Sequence, residues 1–513
     1  MKNLVLSMFR YKSLSVLCLL LCFDNVVFSQ NYEISFTTNN TQNDTIFLGY
    51  YFASKSYLSD TVVLKNGKGV FRSNRELPNG VYFLYSNGRL LFDFIIGDNK
   101  KFGIVADTTD FINLTKFIAS PDNDVFLEYR RQLTDRTKKL QQLSDLYRNT
   151  TSDAEKSEII AKQNTINRES LEYIDKLIED NRHLYVSKIV ESGIPVEARV
   201  PEPPRDEQGN ITDQNFQYRW WRAHFFDNLD ILDPDMLRTQ SYDDKLFGYL
   251  TKVIPPYTDT ICVEIDKILT KAQANDAVFR YIMSTLYNHY SNLAMEVIID
   301  KGIVPENVFL HLAEKWYIPY ATWGTEENKD NLKDLVKKRT PNLIGKHAPP
   351  IEMLKVLPPE HFKAAVLDTA IKYDVHAGRD ISDFRKELKS KFTVLFFWDF
   401  TCGHCKQSIQ DLFSVWEEYK DKGLQVITVQ LYYADRKDKG RWIDFVNEKE
   451  LFGTGWMNAW SPYSHKYRDM YNTASVPVMY LLDENFDIIL RGNLKNSIGS
   501  ETIKEFFDRQ VSK

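Results

Sequence analysis

The sequence is poor in cysteine, has little excess of either charge and contains a single apolar run of note. Its 513 residues include five cysteines, and the formal net charge is -5. Lysine and arginine form no basic patch, which argues against a nucleic-acid-binding protein, because such proteins must neutralise phosphates. After residue 29 no stretch has the length and apolarity that a membrane-spanning helix needs.

The apolar run lies near the start of the chain, at residues 14–23. Three positive residues precede it, and Val27 and Ser29 suit the positions three and one before a cleavage site. The pattern predicts a signal peptide over residues 1–29, and therefore a location in the periplasm or cell envelope. An uncleaved anchor and lipidation are the alternatives, but the run is about half as long as the roughly 20 residues of a spanning helix.

Cleavage would leave Cys262, Cys402 and Cys405, which are too few thiols for a disulfide scaffold. Cys402 and Cys405 are spaced as C-x-x-C, and this spacing favours one redox pair. Cys262 lies between Ile261 and Val263 in a predicted helix. There it is interpreted as a small core residue, with a partner thiol as the alternative.

Residues 31–118 alternate short apolar and polar segments between turn signals such as Asn66-Gly67. Short strands separated by turns predict an N-terminal all-β sandwich or barrel. The predicted strands are 32–38, 45–52, 60–65, 69–73, 80–86, 90–95 and 101–106.

Residues 122–340 change to helical spacing and predict an α-helical middle region. Two long amphipathic helices, at about 126–147 and 153–178, predict a packed hairpin, with a cofactor site as the alternative. A proline-rich loop follows at 200–213. Further helices are predicted at 243–253, 258–274, 276–300 and 306–316. No cofactor is predicted here or elsewhere in the chain.

Residues 342–513 are the last predicted domain. A linker marked by Pro341 and by residues 345–350 lies at its start, and the elements beyond the linker have the order of an α/β domain. An apolar strand at 392–398 leads into Cys402-Gly403-His404-Cys405, which opens a helix that ends near Tyr419. Further strands are predicted at 425–431, 478–482 and 488–491, and further helices at 439–448 and 501–510. A C-x-x-C at a strand-to-helix junction in this setting indicates a redox motif.

The position of the motif predicts different roles for its two sulfurs. A helix N-terminus presents unpaired N–H groups and positive partial charge, which favours the thiolate of Cys402. Cys405 follows one turn later, within reach of a disulfide. Cys402 can then attack a substrate disulfide and Cys405 can resolve the mixed disulfide. His404 can add positive charge near the thiolate.

Residues 397–406, Phe-Trp-Asp-Phe-Thr-Cys-Gly-His-Cys-Lys, together with 475–478, resemble the thioredoxin superfamily. Residues 344–349 resemble its TlpA-like, envelope-facing branch, which is similar in fold to the peroxiredoxins. The resemblance implies that Pro477 is a cis-proline facing the dithiol, that Trp398 packs beneath the motif and that Val476 offers its backbone to a substrate. The N-terminal region resembles the small β domain that precedes such domains in Gram-negative envelope proteins, and the middle region resembles an uncharacterised helical domain.

The sequence lacks acidic residues at two positions where these relatives carry a proton-transferring carboxylate. Phe396 stands where thioredoxins carry a buried aspartate, and Ser408 stands where many TlpA-like reductases carry a glutamate. Asp399 and Asp411 are candidate proton acceptors for Cys405, although either can be a plain surface or helix-end charge. The Gly-His dipeptide matches protein disulfide isomerase, which is more oxidising than thioredoxin by about 90 mV, so the direction of electron flow stays open.

The motifs therefore predict an exported thiol–disulfide oxidoreductase, expected to be a reductase that a membrane electron donor keeps reduced. Its partners would be protein disulfides and dithiols, and the β and helical regions would recruit clients or mediate self-association. The alternative is an envelope binding or assembly protein whose dithiol senses redox state. A zinc site would need four ligands, and a lone C-x-x-C with a scattered His465 does not supply them; a structural disulfide and peroxidase chemistry are weaker interpretations.

Overall fold

The computed structural model describes residues 31–39, 44–107, 109–294, 303–349, 390–431, 436–460, 470–473, 475–493 and 500–511. The predicted signal peptide and His465 lie outside these residues. The described residues form two compact units, with the boundary between Val253 and Ile254. The domain boundaries proposed from the sequence, 31–118, 122–340 and 342–513, stay a prediction. In the described part of the chain, no helix is long and apolar enough to cross a membrane.

The first unit begins with two four-stranded sheets, in the strand orders β4-β1-β7-β8 and β3-β2-β5-β6. Apolar side chains of both sheets, such as Phe36 and Ile104 of one and Leu48 and Phe94 of the other, share one buried cluster. This packing confirms the predicted all-β fold and favours the sandwich. The strands are β1 Tyr32–Thr38, β2 Thr45–Phe52, β3 Lys55–Val63, β4 Lys68–Ser73, β5 Gly80–Ser86, β6 Arg89–Ile96, β7 Lys101–Ala106 and β8 Lys116–Ile118.

The third strand differs from the prediction of 60–65, since β3 starts at Lys55. It follows β2 after a tight turn in which Ala53 has a φ of 49°. β3 is an edge strand, and Tyr57 and Leu58 are 43% and 58% exposed. Strands are predicted from the alternation of apolar and polar residues, and side chains that face solvent do not show it. The first half of β3 could therefore not be predicted from the sequence.

The described part of the first unit also contains six α-helices. The two longest form the predicted hairpin, because Phe126 and Tyr129 of one share a buried cluster with Ile174 and Leu177 of the other. The first of the pair starts earlier than expected, at Pro121, where proline suits the first helical position. The helices are α1 Phe111–Leu114, α2 Pro121–Asn149, α3 Asp153–Asp180, α4 Tyr185–Ser192, α5 Phe216–His224 and α6 Ser241–Gly248, the last continued by a π-helical turn over Tyr249–Val253.

In its described part, the second unit begins with four helices of eight or more residues: α7 Thr258–Ala272, α8 Asp276–Leu293, α9 Pro305–Leu312 and α10 Glu326–Arg339. The Asp266 carboxylate of α7 accepts hydrogen bonds from His311 (2.8 Å), Lys315 (2.7 Å) and the Trp316 indole (2.6 Å). These bonds tie α7 to α9 and to the π-helical turn over Ala313–Tyr317 that follows it. The end of the helix predicted at 276–300 lies outside the described residues.

The described remainder of the second unit contains a five-stranded sheet in the order β11-β10-β9-β12-β13. Its strands are β9 Phe392–Trp398, β10 Leu424–Gln430, β11 Trp456–Trp460, β12 Val478–Leu482 and β13 Ile488–Asn493. Its helices are α11 Gly403–Tyr419, α12 Arg436–Glu448 and α13 Ser500–Val511. β9 is central, and its two faces contribute to two different apolar clusters. A strand covered on both sides needs the continuous apolar run that the sequence shows at 392–398.

The segment predicted as a linker at 341–350 is partly incorporated into this fold. Gly345 donates its N–H to the Ile488 carbonyl (2.8 Å), and Ile488 donates to the Lys346 carbonyl (2.8 Å). The segment therefore lies along the outer edge of β13. Glu306 of α9 accepts from Arg339 (3.1 Å) and is 3.5 Å from Arg491 of β13, which also connects the helices to the sheet.

Candidate active site

The two motif cysteines lie where β9 ends and α11 begins. Cys402 is the residue before the first helical residue, with extended backbone angles (φ -82°, ψ 119°). The Cys405 backbone N–H points back to the Cys402 sulfur, at 3.4 Å from N to Sγ. The Cys402 N–H in turn donates to the Asp399 carbonyl (3.0 Å). The helix N-terminus thus directs one of its unpaired donors at the Cys402 sulfur, where it stabilises negative charge.

The two thiols differ in exposure. Cys402 is half-buried, whereas Cys405 is fully buried among apolar residues that include Trp398 and Ile409. Burial raises the pKa of the Cys405 thiol well above its usual range, and the neighbouring Cys402 side chain acts in the same direction. A substrate disulfide can therefore reach Cys402, while Cys405 stays a neutral thiol until the first step has occurred.

The other residues predicted for the site surround this pair. Gly403 and His404 are exposed on the first turn of α11, and a Cβ at Gly403 would meet open space. Trp398 is fully buried in the same apolar cluster as Cys405, with its ring 6.0 Å from that of Phe445. The Trp398 indole nitrogen has no hydrogen-bond partner in the described part of the chain.

Pro477 and Val476 lie just before β12. The Val476–Pro477 peptide bond is cis, Pro477 is buried and Val476 is half-buried. β12 runs antiparallel to β9, and Val478 pairs with Phe397. The residues that precede β12 therefore lie at the end of the sheet where β9 leads into Cys402. The roles assigned to Pro477 and Val476 in substrate binding stay predictions.

Comparison with known proteins finds one matching family and a set of similar solved structures. Residues 365–488, about a quarter of the chain, match the AhpC/TSA family, and no curated protein matches. A domain of a possible thiol-disulfide isomerase from Cytophaga hutchinsonii is 28% identical; the match covers 33% of this chain and 94% of that chain, with a TM-score of 0.23. A thioredoxin-like protein from Bacteroides caccae is 16% identical over 60% of this chain and 97% of that chain, with a TM-score of 0.35.

Three observations indicate the same fold for the C-terminal domain: the family match, the sheet order, and the position of Cys402 at the junction of β9 and α11. The C-terminal domain is thioredoxin-like. The family resemblance predicted from the motifs is thereby confirmed, as is the multidomain fold with β, helical and α/β parts.

Of the two acidic candidates, only Asp399 lies beside the dithiol of the thioredoxin-like domain. Asp411 is exposed on α11 and accepts a hydrogen bond from Gln407 (2.8 Å). Asp399 is half-buried between Trp398 and the motif, and its backbone carbonyl accepts the hydrogen bond from the Cys402 N–H (3.0 Å).

Gln430 was not predicted as a site residue, but the structure places it in the site. Gln430 ends β10 and is fully buried. Its side-chain oxygen accepts from the Phe400 N–H (2.9 Å), and its nitrogen is 3.5 Å from the Asp399 carboxylate. The sequence pattern that could have identified Gln430 is a polar residue at the end of an apolar strand. That strand, β10, lies next to β9 in the sheet.

Two cationic side chains lie over aromatic rings beside the motif. The Lys406 ammonium lies 5.4 Å from the Phe445 ring centre, and the Arg441 guanidinium lies 5.5 Å from that of Phe400. Stacking of this kind holds a long, mobile side chain in place. Among the described residues, no three histidine, cysteine, aspartate or glutamate side chains come together as metal ligands would.

The difference between the thiols predicts selective alkylation. In the reduced, folded chain at pH 8, iodoacetamide should label Cys402 first, whereas Cys405 should react only after denaturation. Cys262 should also react slowly, because burial raises its pKa to about 12 and only thiolates are alkylated readily. Peptide mass spectrometry after timed labelling checks this order, and equal labelling of Cys402 and Cys405 would contradict the burial difference.

Proposed function

We propose that the chain is an exported thiol–disulfide oxidoreductase that exchanges disulfides with envelope proteins through Cys402 and Cys405. The observation that carries the proposal is the asymmetric pair at the start of α11. A half-buried sulfur receives a backbone N–H, and a fully buried thiol follows one turn later in the same thioredoxin-like domain. The export part of the proposal is supported by the charged and apolar pattern of residues 1–29.

The reaction needs no group beyond the two cysteines and the client. The Cys402 thiolate attacks one sulfur of a client disulfide, the client S–S bond breaks, and its other sulfur leaves as a thiolate that takes up a proton. Cys405 then attacks the Cys402 sulfur of the mixed disulfide and releases the second client sulfur. The client gains two electrons, and the Cys402–Cys405 dithiol becomes a disulfide. A membrane dithiol donor would return the pair to the reduced form.

Insulin-disulfide reduction tests the proposal. The full chain without residues 1–29 should reduce insulin in the presence of a dithiol reductant, and Cys402→Ser should lower the rate to that of the reductant alone. Cys262→Ser is the matched control and should retain the wild-type rate, because Cys262 lies on α7 and not in the dithiol. A folded wild-type chain that neither reduces insulin nor exchanges with glutathione would contradict the proposal and favour a binding protein with a redox-sensing dithiol.

A further inference from the structure

We propose that Lys406 and Arg441 make the protein select client disulfides that are flanked by acidic residues. The inference rests on the proposed function and deepens it, because it names the class of client segment that the dithiol accepts. It concerns the charge of the surface around Cys402, which the exchange reaction itself leaves undefined. Neither cation takes part in the exchange of sulfurs, so both act on how well a client is bound.

The two cations lie over the apolar cluster that carries the Cys402 sulfur. Phe400 is fully buried in this cluster, and the partly buried Phe445 and Cys402 pack against it. The Arg441 guanidinium is 5.5 Å from the Phe400 ring centre, and the Lys406 ammonium is 5.4 Å from that of Phe445. Because both rings belong to the surroundings of the sulfur, each positive charge is held at a defined place beside it.

Lys406 is one helical turn from Cys402. Its backbone N–H donates to the Cys402 carbonyl (3.2 Å), and residues four apart lie on the same face of a helix. Helical side chains lean toward the N-terminus of their helix, which brings Lys406 toward Cys402. Lys406 is half-buried, and among the described residues no carboxylate forms an ion pair with its ammonium. An acidic group of a client can therefore take that place.

The acids near the motif offset these cations only in part. The Oδ1 atom of Asp399 is bonded by the N–H and the hydroxyl of Thr401, both at 2.8 Å. Asp444 is exposed on α12, three residues after Arg441, and weakens mainly that cation. A client thus meets the positive end of α11 together with two positioned cations, and opposite charge on the client favours the encounter.

The size of the selection follows from the exposure of the pair. When a client disulfide comes within bonding distance of the Cys402 sulfur, the residues that flank the client cysteines lie over the same surface. A glutamate there is attracted by Lys406 and a lysine is repelled. An exposed ion pair contributes at most about five-fold to an equilibrium or rate, and salt weakens it. The cations therefore set a preference among clients that the same dithiol can reduce.

Three cyclic peptides that differ only beside their disulfide test the proposal. The disulfide of each peptide is flanked by two glutamates, two glutamines or two lysines. The measured quantity is the second-order rate constant with which each peptide oxidises the reduced full chain without residues 1–29, followed by acid quenching and mass spectrometry. The rate constant of each peptide with dithiothreitol corrects for differences between the disulfides themselves.

Lys420→Gln is the matched control for variants of Lys406. Its ammonium also lies over a ring, 5.1 Å from the centre of Trp416, but it follows the far end of α11. Lys406→Glu reverses the charge beside the sulfur. A change in the reactivity of Cys402 affects all three peptides alike and cancels in the ratio of their rate constants, so the ratio reports charge selection alone. The glutamine peptide shows that each variant is folded and active.

At low salt the wild-type chain should react about ten-fold faster with the glutamate peptide than with the lysine peptide, because attraction and repulsion each contribute a few-fold. Arg441→Gln should reduce this ratio, Lys406→Glu should invert it, and Lys420→Gln should leave it unchanged. In about 1 M sodium chloride, where the screening length is about 3 Å, the ratio should approach one. Equal rate constants for the three peptides in the wild type, or an unchanged order in Lys406→Glu, would overturn the inference. A wild-type chain that no peptide oxidises would instead contradict the proposed function.

Discussion

Replacing Cys405 by serine is expected to turn the protein into a covalent trap for its clients. Cys402 keeps its position at the start of α11, so it should still attack client disulfides. The buried sulfur that resolves the mixed disulfide is absent, and a serine hydroxyl cannot replace it. Adducts should therefore accumulate, and insulin reduction should fall to the rate of the reductant alone. Electrophoresis without reductant after acid quenching, followed by mass spectrometry of the adducts, measures the effect.

Cys402→Ser supplies the comparison for the trap. Its remaining motif thiol, Cys405, is fully buried and its pKa is raised by that burial, so it should form few adducts. Cys262→Ser combined with Cys405→Ser should trap as well as Cys405→Ser alone. Equal trapping by Cys402→Ser and Cys405→Ser would show that the two sulfurs do not have the assigned roles.

Replacing Phe396 by alanine is expected to have the largest effect on stability. Phe396 is fully buried on β9, with its ring 6.5 Å from that of Trp398. Loss of a buried phenylalanine ring costs about 3–5 kcal/mol, from lost transfer energy and the cavity left behind. A change of this size is a large share of the stability of a domain. Hydrogen–deuterium exchange of peptides from β9 and β10, measured in the full chain against denaturant, would report it.

Phe396→Leu is the matched control for this loss. Leucine keeps most of the apolar volume, so the variant should lose much less stability than Phe396→Ala. Phe396→Asp tests whether the site tolerates the acid that thioredoxins carry there. Because the surrounding side chains are apolar, an unpaired carboxylate should destabilise the domain at least as much as alanine does. An unchanged exchange rate for Phe396→Ala would mean that β9 does not carry the stability of this domain.

Whether an element could be predicted from the sequence depended on how its side chains are exposed. β9 was predicted correctly because a central strand buried on both faces needs an unbroken apolar run. β11 was missed because its centre is Asn458, which is buried. That side chain donates to the Leu451 carbonyl (2.8 Å) and accepts from Thr428 (3.1 Å), and these partners make its burial acceptable. No pattern along the strand shows such partners.

The sequence by itself determined the dithiol, its place at a strand-to-helix junction and the different roles expected of Cys402 and Cys405. These features depend on local physics, because the N–H groups of a first helical turn and a spacing of three residues lie within one short segment. Only the tertiary structure decided which of the two acidic residues, Asp399 or Asp411, lies beside the dithiol. Asp399 is placed there partly by Gln430, which lies 31 residues further along the chain and reaches the motif through the pairing of β10 with β9. Long-range pairing of this kind follows from the packing of the whole sheet and leaves no mark in the residues next to the motif.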